Sequence, residues 1–158
     1  MKKLLLFIIL SAAFAKGMGQ SKNQREQWIA GTIKQYAFHN KNSEIYHVYE
    51  LTFSNGNMMV IDRIEPSYST DTIIIPLKQI TTVKVGLFQN NNIDEEGYQI
   101  LFKCKKGREC IQNTLYPSHK IPAEVILLQL SFQDNELPKK MQKVLKRIIR
   151  LSGGRAHK

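Results

Sequence analysis

The sequence predicts a mainly β (α+β) domain: a bent antiparallel sheet or barrel of seven to eight strands, with one amphipathic C-terminal helix. Three observations carry this. Apolar and polar residues alternate along several short segments between residues 45 and 132, the period-two pattern of half-buried strands. Turn signals separate these segments, Asn55-Gly56 being the clearest. The pattern changes to a helical period only near the end, from Asn135 onward. With 158 residues, 42% of them hydrophobic, the chain is long enough to bury one core. Two Cys are too few for a disulfide-rich mini-protein, and the composition excludes a collagen or a wholly disordered chain.

The amino terminus reads as a processed segment. Lys2 and Lys3 precede an unbroken apolar run from Leu4 to Leu10, and Ala13-Phe14-Ala15 follows as a small-residue cleavage site. This is the order of a secretory signal peptide over residues 1–15, and the run is too short to span a bilayer with margin. No Cys occurs before Cys104 to receive a lipid, and no later stretch has transmembrane length. The expectation is an exported protein of a bacterial cell envelope, periplasmic or secreted. Residues 16–27 are polar and read as a flexible lead-in. One domain then covers residues 28–152, and residues 153–158 form a tail.

Within that domain, Trp28 to Phe38 reads as the opening strand, although its alternation is poor. Ile45, His47, Tyr49, Leu51 and Phe53 share one face of the next strand. Asn55-Gly56 then predicts a type I′ hairpin, which needs positive φ at both central positions, and Met58 to Ile64 is the return strand. Thr72 to Leu77 holds the Ile73-Ile74-Ile75 run and is closed by Pro76. Val83, Val85 and Leu87 alternate before an Asn90–Asn92 loop; Tyr98, Ile100, Phe102 and Cys104 alternate before a turn at Gly107. After a loop with Pro117 and Pro122, Ile126, Leu128, Leu130 and Phe132 make the last strand.

Leu137, Met141, Val144, Leu145, Ile148 and Ile149 fall at i, i+4, i+7, i+8, i+11 and i+12, the stripe of a helix over residues 135–152. Asp134 or Asn135 can cap it, Pro138 is tolerated in its first turn, and Gly153 stops it. The stripe lacks Trp and Phe and carries β-branched residues, so it suits a protein core better than a membrane surface. Leu145 and Ile148 are expected inside, with Lys143, Lys146 and Arg150 outside.

This order of elements resembles the pleckstrin-homology-like fold, in which a C-terminal helix plugs one open end of a bent, nearly closed barrel. The run Ile75-Pro76-Leu77-Lys78-Gln79-Ile80-Thr81-Thr82-Val83 is similar to the middle-strand junction of GRAM-type members. The resemblance covers residues 28–152 and implies a fold only. The basic phosphoinositide motif of the first hairpin is missing, since Lys34 and Lys41 have no Arg partner there. Trp28 stands in the opening element, whereas many members carry a Trp in the closing helix. No lipid-binding residue is carried over. A lipocalin-like barrel is the alternative architecture.

The residues offer little chemistry. His39 and His47 flank a Lys41-Asn42-Ser43 turn near Glu44 and Glu50, but no H-x-H or H-E-x-x-H spacing exists. His47 lies on an apolar face and reads as a hydrogen-bonded core histidine, and His119 lies in a Pro-flanked loop. No G-x-S-x-G turn or glycine-rich phosphate loop occurs, and Gly153-Gly154 closes a helix where a phosphate cradle opens one. Asp94-Glu95-Glu96 reads as a solvated loop tip. No catalytic residue, metal site or cofactor is expected.

Cys104 and Cys110 are expected to form a disulfide. A hairpin centred on Gly107 would set them opposite each other, and export supplies oxidising conditions.

Charge is the strongest remaining signal. Residues 16–102 hold 8 basic and 9 acidic residues, net −1, whereas residues 103–158 hold 13 basic and 4 acidic, net +9. Lys103, Lys105, Lys106 and Arg108 in the hairpin, with Lys139, Lys143, Lys146 and Arg150 on the helix, are the candidate contacts to an anionic surface or partner. Nucleic acid is not expected, because the chain is read as exported and no aromatic-interleaved basic motif occurs. The expected function is a non-catalytic interaction module of the envelope; the alternative is a lipocalin-like carrier of a small apolar ligand.

Overall fold

A computed structural model describes residues 21–37, 46–65, 69–90, 95–106, 108–114, 120–128 and 136–156. β1 (Tyr46–Ser54) and β2 (Asn57–Glu65) form the first hairpin, paired from Ser54↔Asn57 to Tyr46↔Glu65. Its turn has the expected geometry, with Asn55 at φ 50° and Gly56 at φ 77°. That left-handed pair matches the twist of the two strands. β3 (Ser69–Pro76) adds to β2 and sets Ile73 and Ile75 beside Val60 and Met58, all four buried. A single 3-10 turn, Leu77–Gln79, then carries the chain into a second sheet.

In that sheet β4 (Ile80–Asn90) pairs with β5 (Glu95–Cys104), and β5 pairs with β8 (Ala123–Leu128). Between β5 and β8 the chain returns to the first sheet. It adds β6 (Ile111–Asn113) to β3 and β7 (Lys120–Ile121) to β6. The result is a five-stranded sheet, β1-β2-β3-β6-β7, and a three-stranded one, β4-β5-β8, all antiparallel. The mainly β class and the bent-sheet architecture are as expected. Among the described residues the sheets do not close, and their interleaved order is not the up-and-down meander of a lipocalin-like barrel.

Three crossings between the sheets meet at one corner. The Lys105 N–H donates to the Gln79 carbonyl (3.1 Å), the Cys104 N–H to Pro122 (2.9 Å) and the Cys110 N–H to Ile121 (3.2 Å). The Thr81 hydroxyl donates to the Cys104 carbonyl (3.1 Å). Cys104 and Cys110 are joined by the expected disulfide, with Cα atoms 5.9 Å apart. Its setting differs from expectation, because no hairpin links the two Cys. Both flanks of β5 are occupied, by β4 and β8, so the returning chain finds no free ladder there and pairs with β3 instead. The disulfide therefore joins sheet to sheet.

The largest correction lies at the start. Over their described parts, the lead-in (residues 16–27) and the opening strand (Trp28 to Phe38) are replaced by α1 (Lys22–Gln35). Ser21 starts it with a capping box: its hydroxyl accepts from the Gln24 N–H, and the Gln24 side chain accepts from the Ser21 N–H. The buried face, Arg25, Ile29, Thr32 and Ile33, has helical spacing but is half polar, so its hydropathy pattern is nearly flat. Thr32 satisfies its hydroxyl internally by donating to the Trp28 carbonyl (2.8 Å).

α2 (Glu136–Leu151) is the helix expected over residues 135–152. Met141, Leu145, Ile148 and Ile149 are fully buried, and Leu137 and Val144 pack against the same core. Lys143 and Arg150 face outward as expected, whereas Lys146 is half-buried. α2 lies against β4 and the 77–79 turn, α1 lies against β1, and the two helices touch, so together they span from one sheet to the other. The Gln142 side chain accepts from the Val85 N–H (2.9 Å), satisfying a donor on edge strand β4.

The helix ends at Gly153, φ 84°. The Gly153 N–H bonds to Arg150 O (3.0 Å) and the Gly154 N–H to Ile149 O (2.9 Å), the two bonds of a Schellman closure. A Cβ on Gly154 would collide with the Leu77 carbonyl oxygen and with Ile149 Cγ2, so only glycine fits. The residues expected to form a tail stay packed as far as Ala156, which is buried.

Leu145→Ala is expected to lower the unfolding free energy by about 2–5 kcal/mol, as for other fully buried leucines. The exposed Arg147→Glu is expected to stay within about 0.5 kcal/mol of the parent protein. Urea denaturation of both variants checks this; the reverse order would mean that α2 is rotated about its axis.

Candidate functional site

The eight candidate cations separate into two groups. Lys105 is tied by its backbone to Gln79, and Gly154 is pressed against Leu77. The sheet-crossing segment and the C-terminal end of α2 therefore converge on the 77–79 turn, where Lys78 is a further exposed cation. Lys105, Lys106 and Arg108 are exposed there, and Lys103 projects from β5 opposite its buried neighbours Phe102 and Cys104. Lys139 lies in the first turn of α2 and Lys143 at its middle, roughly 10–16 Å from Arg150 at 1.5 Å rise per residue, with the half-buried Lys146 between Lys143 and Arg150.

The cations also differ in what engages them. Among the described residues, Lys103, Lys105, Lys106, Arg108, Lys143 and Lys146 form no ion pair. Lys139 makes only an exposed contact with Glu136 (3.1 Å), a kind worth little in water. Arg150 is held by its own chain, donating from Nε and Nη2 to the Ala156 carbonyl at 3.3 Å each. Lys140, not among the candidates, places its ammonium 4.9 Å from the Trp28 ring centroid and so joins the two helices. An open depression of about 490 Å³, lined by Glu136, Leu137, Lys139, Lys140 and Lys143, follows the first turns of α2.

A second constellation lies inside. On the inner face of the large sheet, Met58 and Val60 are followed in phase by Asp62, and Ile75 and Ile73 by Asp71. These two carboxylates stand directly opposite across β2 and β3, an arrangement that costs free energy for like charges. His47 relieves one of them: its Nδ1 lies 2.8 and 2.9 Å from the two Asp62 oxygens, while its ring stacks on Tyr49 with centroids 5.6 Å apart. Asp71, only 9% exposed, accepts from the Thr114 hydroxyl (2.7 Å), which in turn accepts from the Thr72 N–H (2.8 Å).

The small sheet contributes Glu124, which lies opposite the buried Phe102 and hydrogen-bonds to the Asn113 side chain of β6. Burial pushes its carboxyl above the usual glutamate range, and the charges of Asp71 and Asp62 push the same way. Bonds from the Val125 N–H (2.8 Å) and Asn113 oppose the shift.

The sequence reading places His47 correctly as a bonded inner histidine but misses the carboxylates. Their signal is parity, since Asp62, Asp71 and Glu124 are each in phase with the buried residues of their own strand. His39, His119 and Asp94 lie outside the described residues. Among the described residues, no three His, Cys, Asp or Glu are gathered in a metal-holding group. Comparisons with protein-family models, curated proteins and solved structures gave no match.

Thr114→Val keeps the shape but strips Asp71 of its donor and the Thr72 N–H of its acceptor. Thr114 itself is exposed and only Asp71 of its two partners is buried, so the expected cost is about 1 kcal/mol, that of an ordinary hydrogen bond, with Thr114→Ser close to the parent protein. Thermal denaturation of the pair decides it, and equal losses would remove the hydroxyl from this role.

Proposed function

We propose that this chain is a non-catalytic, exported interaction module that contacts an anionic component of the cell envelope through its basic corner. The observation that carries the reading is the convergence of Lys78, Lys105, Lys106 and Arg108 at the 77–79 turn. All four are exposed, and among the described residues none has an acidic partner. The corner is rigid because a disulfide and four hydrogen bonds hold its backbone, so cations presented there lose little backbone freedom on binding.

Export is supported by the charged, apolar and small-residue order of residues 1–15 and by the disulfide, a bond that persists in oxidising compartments. Among the described residues, no helix is long and apolar enough to cross a membrane. A pleckstrin-homology-like architecture belongs to the same proposal: two bent antiparallel sheets with a C-terminal helix packed on them support it. The leading helix α1, in place of an opening strand, is a departure from it. The carrier reading has weaker support. The depression is open and lined only by residues of the first turns of α2, and side chains such as Val60, Ile100 and Phe102 fill inner positions of the sheets.

Binding to vesicles containing an anionic phospholipid, measured by sedimentation, tests the proposal. Reversing Lys105, Lys106 and Arg108 to Glu is expected to weaken binding by more than about a hundredfold at low salt, from about 1 kcal/mol per surface cation. Raising the salt should weaken the parent protein's binding in the same direction. An acidic polysaccharide assayed in parallel distinguishes a lipid from a sugar partner. Unchanged binding of the triple variant to both would refute the basic corner as the contact.

A further inference from the structure

Among the described residues, four polar or charged side chains are buried: Arg25, Thr32, Asp71 and Asn113. Three of them are engaged. Thr32 donates to the Trp28 carbonyl, Asp71 accepts from the Thr114 hydroxyl, and Asn113 is bonded as well. Arg25, on the buried face of α1 and only 9% exposed, forms no ion pair among the described residues. α1 packs against β1 and α2, and each of these three elements carries a single acidic residue. All three are taken: Glu26 by Lys22 (3.6 Å), Glu50 by Arg63, and Glu136 by Lys139 (3.1 Å).

A guanidinium cannot escape burial by losing its proton, so Arg25 keeps a charge that its surroundings do not compensate, which is the costly way to bury an ion. A snorkelling arginine leaves its charged head in water, whereas 9% is little exposure for a side chain with five N–H donors. Those donors are still reachable. Among the described residues, the Ser152 hydroxyl is the one side-chain group both sealed from solvent and unpartnered, so the unpaired nitrogens of Arg25 keep a narrow contact with solvent. The local field is positive. Lys22 stands three residues before Arg25, Lys140 lies over Trp28 three residues after it, and the first turn of α1 has no acidic residue to offset the helix dipole.

We propose that Arg25 anchors a binding site for a small oxyanion, a phosphate or carboxylate group held by two parallel N–H···O bonds from the guanidinium. The planar fork matches two oxygens of one such group. The narrow exposure selects a compact group, and Ile29, fully buried one turn further on, keeps the base of the site dry, where charge-assisted bonds are stronger than in water. The site is independent of the basic corner, whose cations belong to the 77–79 turn and the sheet-crossing segment.

A titration of nitrogen-15-labelled protein with inorganic phosphate, and separately with acetate, reads the Arg25 Nε–H resonance at neutral pH and constant ionic strength. A saturable shift with a millimolar dissociation constant is expected from at least one anion, and the one that acts identifies the group. Arg25→Lys should bind at least about tenfold more weakly, because an ammonium offers no fork. Arg25→Met should show no saturable response in the amides of α1. In chloride it should melt at or above the parent's temperature, since an uncompensated buried charge is gone. The variant with Lys105, Lys106 and Arg108 reversed to Glu should bind as the parent protein does. Absence of a saturable Arg25 shift with both anions would overturn the site, as would parent-like binding by Arg25→Met. Loss of binding in the corner variant would move the anion to the corner and overturn it too. An Arg25→Met protein that melts below the parent or fails to fold would make the guanidinium a structural group and refute the proposal.

Discussion

The corner where the chain crosses between its sheets is the constraint on which the rest of the fold depends. Two sheets with apolar inner faces gain by packing together, but the hydrophobic effect is non-directional and does not set their angle or register. Here the register is set by covalent and hydrogen bonds at the corner. The Cys104–Cys110 bond, the backbone ties from Cys104 and Cys110 to Pro122 and Ile121, and the tie from Lys105 to Gln79 bring the three crossings together. The ladder of β5 with β4 and β8 on one side, and of β6 with β3 and β7 on the other, run outward from there. The end of α2 docks on the same place, because Gly154 allows its backbone to lie against Leu77.

That geometry separates the molecule's charges. Cations accumulate outside, on the sheet-crossing segment, the 77–79 turn and α2. Three carboxylates collect inside, where the inner face of the large sheet turns from Met58 and Val60 to Asp62 and meets Glu124. The two sets answer different needs. The outer charges are solvated and cheap to keep. The inner ones are costly in a partly dry space and persist because His47, Thr114 and Asn113 bond to them.

How much of this was legible in the sequence depends on whether the governing interaction was local. The Asn55-Gly56 turn is fixed by the φ values its own two residues prefer, and it forms where expected. α2 is legible because its buried stripe is purely apolar. α1 is hidden because Arg25 and Thr32 occupy half of its buried face, although the Ser21–Gln24 capping box marks its start. Cys104 and Cys110 pair as expected, yet for a reason their spacing cannot show: which ladders of β5 are already filled depends on strands that lie far apart in the chain. The carboxylate cluster is the extreme case. Each member carries only the weak signal of inward parity, and its neighbours come from strands far apart in the chain, β2, β3 and β8.

Urea denaturation of the Cys104→Ser/Cys110→Ser protein against the disulfide-bonded parent tests the central role of the corner most directly. For a loop whose ends are 6 residues apart, chain entropy alone gives a stabilisation of about 2 kcal/mol. A bond that merely closed a local hairpin would contribute no more than that. If the disulfide sets the register of both sheets, its loss also weakens the hydrogen bonds and cross-sheet packing around it, and the expected decrease is about 3–5 kcal/mol. A decrease of about 2 kcal/mol or less would contradict this account of how the fold is held together.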